Sequence, residues 1–245
     1  ISFGWVKASD SKIEQLQELL NFFGIATPNE WSNLWSGLPV AFRQSAAYSA
    51  DLGSVAAWLR KGELDAQQIE CSPYTEEKFR SALSDIRIWT SESPEVFVPR
   101  IQEACAQAGV AVVFVKELPR IRTSGATRWL TPSKALLQLS LRYKRDDQLF
   151  FTLFHEAAHI LLHGKREIFL EDDEKGNDKE MEADRFAADV LIPPEEYDQF
   201  KPSKKFYSKE DILDFASRIG IAPGIVVGRL QHDGKLKPSF CNDLK

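Results

Sequence analysis

The 245-residue chain is short of cysteine, methionine and histidine, with three, one and four of each. Cys71, Cys105 and Cys241 are odd in number, far apart and without a C-x-x-C pair. That spacing argues against a disulfide framework or a thiolate metal site and fits a reducing compartment. No apolar run approaches the roughly 20 residues of a membrane span, and no signal peptide is visible, so a cytoplasmic protein with no membrane partner is expected. Charge of one sign is also scarce. A net charge of −5 and a pI near 5.5 argue against nucleic-acid binding by bulk electrostatics. The basic clusters at residues 142–145 and 201–205 read as solvated loops, as does the acidic stretch 171–174. There is no internal repeat or low-complexity tract. At 43% hydrophobic and 27% charged, the chain has an ordinary globular composition and can bury one large core or two modest ones. It opens on Ile1 and its only methionine is Met181, as expected of a processed or truncated product.

Three of the four histidines fall in one segment, Leu153-Phe154-His155-Glu156-Ala157-Ala158-His159-Ile160-Leu161-Leu162-His163, which contains H-E-x-x-H. On a helix, His155 and His159 lie about 40° apart around the axis and about 6 Å apart along it. Both imidazoles can reach one ion, and zinc accepts two neutral imidazoles plus a carboxylate. Glu156 is placed to take a proton from a water at such a site. A surface helix would not surround these groups with Phe150, Phe151, Leu153, Phe154, Leu161 and Leu162. Buried polar groups need partners, and a metal would satisfy them. The segment implies a zinc-dependent peptidase.

A third ligand is expected from the helical stretch 177–191, whose apolar stripe is Ala183, Phe186, Ala187, Val190 and Leu191. At about 100° per residue, Glu180 falls within that stripe and Glu182 outside it, so phase favours Glu180 over Glu182. Asp184, one turn on from Glu180, shares its face and is placed to accept a hydrogen bond from a ligand histidine. His163 reads as a capping or packing residue.

The first 92 residues read as short helices rich in tryptophan: 11–23, closed by Gly24; one opened by Pro28; one capped by Asp51 and ended by Gly62; and one running to about Trp89. They form a helical adaptor or a dimerisation segment, a homodimer being one arrangement. From residue 93 the pattern is helix to Ala108, a buried strand 110–115, strand–Gly turn–strand over 120–130, and a strand 135–143. The H-E-x-x-H helix and further helices follow, opened by Ser208 and Pro223. The expected class is α+β, a zincin-like core with a small sheet over residues 93–245, preceded by the helical segment 1–92.

Residues 125–194 resemble the ImmA/IrrE family of bacterial metallo-endopeptidases. The matching pieces are Ser124-Gly125-Ala126-Thr127-Arg128-Trp129-Leu130, Leu139-Ser140-Leu141-Arg142-Tyr143, Phe151 through His163, Glu180 through Ala188, and Leu191-Ile192-Pro193. The resemblance implies a gluzincin-type site in which E-x-x-x-D supplies a ligand, Glu180, and its supporting Asp184. A weaker match, at Ala41-Phe42-Arg43, Ala57 to Glu63 and Gly224 to Leu230, is to the subgroup that follows an Xre-type helix-turn-helix, encoded as HigA-like antitoxins or phage-type regulators. It implies a protein substrate, a helix-turn-helix regulator or a toxin. No helix-turn-helix is recognisable here, so nucleic acid is expected only through a segment outside this chain. The alternative is an antitoxin-like or sensory transcriptional regulator with weak, conditional or no proteolysis. His232, Tyr143 and Arg128 are candidates for stabilising an oxyanion.

Overall fold

Alternation along the strands decides which helix each face of the sheet receives. The computed structural model describes residues 3–35, 52–119, 121, 123–140, 145–164, 169–170, 178–200 and 207–245. The elements are α1 (Lys12–Phe23), α2 (Pro28–Trp35), α3 (Leu52–Gln67), α4 (Glu76–Ile88), α5 (Pro94–Gln107), β1 (Val110–Val115), β2 (Gly125–Thr131), β3 (Lys134–Ser140), α6 (Asp146–Leu162), β4 (Phe169–Leu170), α7 (Asp178–Leu191), α8 (Pro194–Phe200), α9 (Lys209–Ile219) and α10 (Pro223–His232). The architecture is mixed α+β and mostly helical. Ala41, Phe42, Arg43, Asp51, Tyr143 and the loops 171–174 and 201–205 lie outside the described residues.

The sheet runs β1-β3-β2-β4. β1 and β3 are parallel, Val110 opposite Ala135, whereas β2 pairs antiparallel with β3, Thr127 opposite Leu137. The two residues of β4 pair with Ala126 and Thr127. Val110, Val112, Leu137 and Leu139 join the core with Phe150, Leu153, Phe154 and Ala157 of α6. Ala111, Val113, Val115 and Leu136 join Val55, Trp58 and Leu59 of α3 on the other face. With both faces covered, β1 can be apolar throughout, as its sequence VAVVFV is.

α3 continues five residues beyond Gly62, which the sequence marks as a stop. A Cβ at Gly62 would lie 1.9 Å from Oε1 of Gln138 on β3. The glycine is there for close approach, not termination. Gln138 is fully buried and donates from Nε2 to the Trp58 carbonyl at 2.8 Å. The expected strand–turn–strand over 120–130 is also corrected. Among the described residues between β1 and Gly125 there is no further strand; Ile121 instead donates to the Leu118 carbonyl, and Gly125 starts β2 itself.

Two long-range contacts hold the central helices. Arg87 of α4 donates from Nε to the Val190 and Leu191 carbonyls at 2.8 and 3.2 Å, capping the C-terminal end of α7. Asp147, in the first turn of α6, makes a buried ion pair with Lys245 at 2.6 Å. Gly228 of α10 admits that carboxylate, since a Cβ there would lie 2.8 Å from Oδ2. The three cysteines are free, and no helix among the described residues is long and apolar enough to cross a membrane.

Gly62→Ala tests the helix–sheet approach. At an exposed helical site the change would stabilise by about 0.5–1 kcal/mol. Here the added methyl must displace a buried, hydrogen-bonded amide, and a loss of about 1–3 kcal/mol is expected in chemical denaturation. A gain in stability would mean that α3 does not rest on Gln138 in solution.

Candidate metal centre

α6 is buried on nearly every side, and its polar residues can only be satisfied by what packs on them. His155, Glu156 and His159 are 2%, 0% and 0% exposed. The neighbour on the histidine side is α7, whose face of Ala183, Ala187 and Leu191 is fully or almost fully buried. Glu180 and Asp184 share that face one helical turn apart.

Nδ1 of His155 lies 2.9 Å from Oδ1 of Asp184. A carboxylate there requires the ring proton on Nδ1, which leaves Nε2 with a bare lone pair. That Nε2 lies 3.1 Å from Nε2 of His159 and 3.1 Å from Oε2 of Glu180. Oε1 of Glu180 is 3.6 Å from Nε2 of His159. One donor atom from each of His155, His159 and Glu180 lies within 4.8 Å of the other two, a group able to hold a metal ion. Donors bound tetrahedrally at about 2.0–2.1 Å sit roughly 3.3 Å apart. The two contacts made by Nε2 of His155 are 3.1 Å each, close to that value, and His159 faces the other oxygen of Glu180 at 3.6 Å. Two imidazoles and a carboxylate able to present either oxygen thus form a donor set whose chemistry fits such a cation.

Burial lowers the pKa of His159, against the pull of Glu180, and favours the neutral ring. Burial would raise Glu180, but in the absence of a metal, N–H donation and charge from the rings of His155 and His159 outweigh it and hold the carboxyl at about 2, the pull that a bound cation would supply in their place. Neutral imidazole and ionised carboxylate are the forms that bind a metal.

Glu156, the next residue along α6, packs its side chain against β2. A Cβ on Gly125 would lie 2.5 Å from its Oε1 and 2.8 Å from Thr152 Cγ2, so the carboxylate is seated directly beneath that glycine. Thr127 Oγ1 donates to the Glu156 carbonyl at 3.2 Å, tying strand to helix beside it.

The remaining expectations fare differently. Arg128 lies on the opposite face of β2 from Gly125 and Thr127. It pairs with Glu63 of α3 at 2.6 Å, and Arg60 reaches the same carboxylate at 2.8 Å. Burial opposes ionisation of Glu63, but the two arginines hold it below the usual carboxylate range. The period-two alternation of a strand removes Arg128 from the centre. His232 is 74% exposed beside Asp233, and Tyr143 lies outside the described residues. His163, expected to cap or pack, has Nδ1 at 2.7 Å from Nδ1 of His159 and Nε2 at 3.1 Å from Oε2 of Glu182. The signal for it was present: His155, His159 and His163 form one i, i+4, i+8 row.

Residues 111–231, just under half of the chain, match the model of the IrrE N-terminal-like domain, the M78 peptidase family. The match supports the ImmA/IrrE family and points to a peptidase, M78 peptidases being metallopeptidases. Comparison with the curated proteins returns no match.

One divalent metal per chain is expected by elemental analysis. His155→Ala and His159→Ala should abolish it, Glu180→Ala should weaken it strongly, and Asp184→Ala should cost about 10–100-fold in affinity. Full occupancy in both histidine variants would put the metal elsewhere.

Proposed function

We propose that this chain is a zinc-dependent endopeptidase with a zincin-like core of the gluzincin type. Zinc would be held by His155, His159 and Glu180, with Asp184 orienting His155. The observation that carries this reading is the convergence of two lone pairs and a carboxylate beside a buried glutamate, within a segment matching a metallopeptidase family. When bound, zinc supplies the positive charge that polarises a scissile carbonyl and acidifies a water molecule.

The chain's own residues do the rest. Glu156 accepts the proton of the attacking water on its carboxylate and passes it to the nitrogen of the departing amine. Its seat beneath Gly125 restricts the carboxylate to one position, so the transfer distance is set before substrate arrives. Glu180 stays ionised and adds the negative charge that would bind the ion, and burial favours the neutral ring of His159.

In this reading residues 93–245 are the peptidase domain, which contains the family match, and residues 1–92 are a helical adaptor or dimerisation segment. The family resemblance argues for a helix-turn-helix regulator or a toxin as substrate, and the free cysteines suit work in the cytoplasm. Contact with nucleic acid would come only through a segment outside this chain.

Glu156→Gln should keep its metal and its melting temperature but lose hydrolysis of such a regulator, because the amide cannot take up the water proton. Chelation should abolish wild-type cleavage, and zinc should restore it. If the wild-type protein, loaded with zinc, leaves every regulator and toxin tested intact, the regulator reading without proteolysis replaces this one. Gly125→Ala should retain metal and lower turnover about 10–100-fold by displacing the Glu156 carboxylate. Unchanged turnover would mean that its position beneath β2 is irrelevant to the reaction.

A further inference from the structure

α6 ends at Leu162, and His163 is its C-cap, donating its backbone N–H to the His159 carbonyl at 3.2 Å. That cap uses the backbone alone. Gly164 follows in the left-handed region at φ 82° and turns the chain away. The imidazole of His163 is thus not needed to end the helix, yet its side chain is only 3% exposed. It folds back along α6 onto His159.

With every ring neutral, the acceptors along this line place each proton. Oε2 of Glu182 lies 3.1 Å from Nε2 of His163 and, as a carboxylate, can only accept. Nε2 of His163 therefore carries the ring proton, and its Nδ1 is a lone pair. That lone pair lies 2.7 Å from Nδ1 of His159, which must donate to it. His159 is left with a bare Nε2, facing Nε2 of His155 and the Glu180 carboxylate. Glu182 to His163 to His159 is one arm, and Asp184 to His155 is the other. Both arms start from a carboxylate on α7 and end with an imidazole lone pair aimed at the same point.

We propose that His163 and Glu182 are positioning residues for the metal centre, selecting the tautomer and ring orientation of His159 as Asp184 does for His155. The inference rests on the metal-site reading above and extends it to two residues outside the ligand set. Glu182 does lie off the apolar stripe of α7, but His163 reaches out to meet it. A plain interhelical staple is the competing explanation. A staple would add stability to the metal-free protein and leave the affinity of His159 for a metal untouched.

The test is zinc affinity by chelator competition, with visible absorption of the cobalt-loaded protein and denaturation of the metal-free protein measured alongside. His163→Ala should lower zinc affinity about 10–100-fold while retaining one site per chain. His163→Gln, whose side-chain carbonyl can accept from His159, should recover much of the loss. Glu182→Ala should cost less, a few-fold, because its partner persists and the carboxylate is 59% exposed. Glu182→Gln should recover it. The His163→Ala/Glu182→Ala double variant should bind no more weakly than His163→Ala alone, since the arm acts as a unit. The cobalt spectrum should shift in His163→Ala. Wild-type affinity in both His163→Ala and Glu182→Ala, or strictly additive losses, would overturn the proposal. So would complete loss of metal in His163→Ala, which would make His163 a ligand. If His163→Ala does not fold, the exposed Glu182 variants decide. Absence of metal from the wild-type protein would instead remove the underlying reading, and His155→Ala serves as the empty control.

Discussion

Burying two imidazoles and a carboxylate face to face is the demand that the rest of the molecule is built to meet. Polar groups out of water are costly unless paired, and a carboxylate facing imidazole lone pairs is stable only around a positive charge. Holding that arrangement requires that neither helix shift. α6 is pressed against the sheet by Phe150, Leu153, Phe154 and Ala157. Its N-terminal turn is pinned by the Asp147–Lys245 pair beneath Gly228. α7 can come close because Ala183 and Ala187 occupy its contact face. Stability and chemistry use the same residues here, and the histidine side of α6 has no slack.

Much of the centre could be read from spacing alone. A four-residue interval on a helix puts His155 and His159 on one face whatever they pack against, and the same geometry links Glu180 to Asp184. The choice between Glu180 and Glu182 needed only the apolar stripe of α7. Legibility ended where a residue's role depends on another element. Phase within α7 cannot reveal that a third histidine on α6 extends far enough to meet Glu182. Nor can the local pattern 125–130 tell which face of the sheet will be covered by which helix, so Arg128 could be grouped with residues from which a strand's pleat separates it.

The two misread glycines share one cause. Gly62 and Gly125 carry the local signature of a stop and a turn, and each lies instead within regular structure where a second element approaches too closely for a methyl group. Gln138 presses on the first and Glu156 on the second, respectively 76 and 31 residues further along the chain. A glycine required by a distant neighbour and one required by its own backbone angle look alike in sequence. Only the docked structure separates them. The long uninterrupted segments, α1 with its Ser11 and Gly24 caps and β1 with its apolar run, were legible because their determinants are local.

The contact between Arg87 and the end of α7 bears on when the centre comes into existence. Residues 87 and 190 are separated by 103 positions, and closing so large a loop is among the slower events of folding. His155 and Glu180 are only 25 apart, but the helix that carries Glu180 is anchored by a residue from the early part of the chain. The histidines share one helix of local contacts, whereas the helix that carries the carboxylate is also held by a contact from a distant part of the chain. A chain caught midway has its imidazoles and lacks their counter-charge. The donor set is therefore complete only when the early and late parts of the chain are docked on each other.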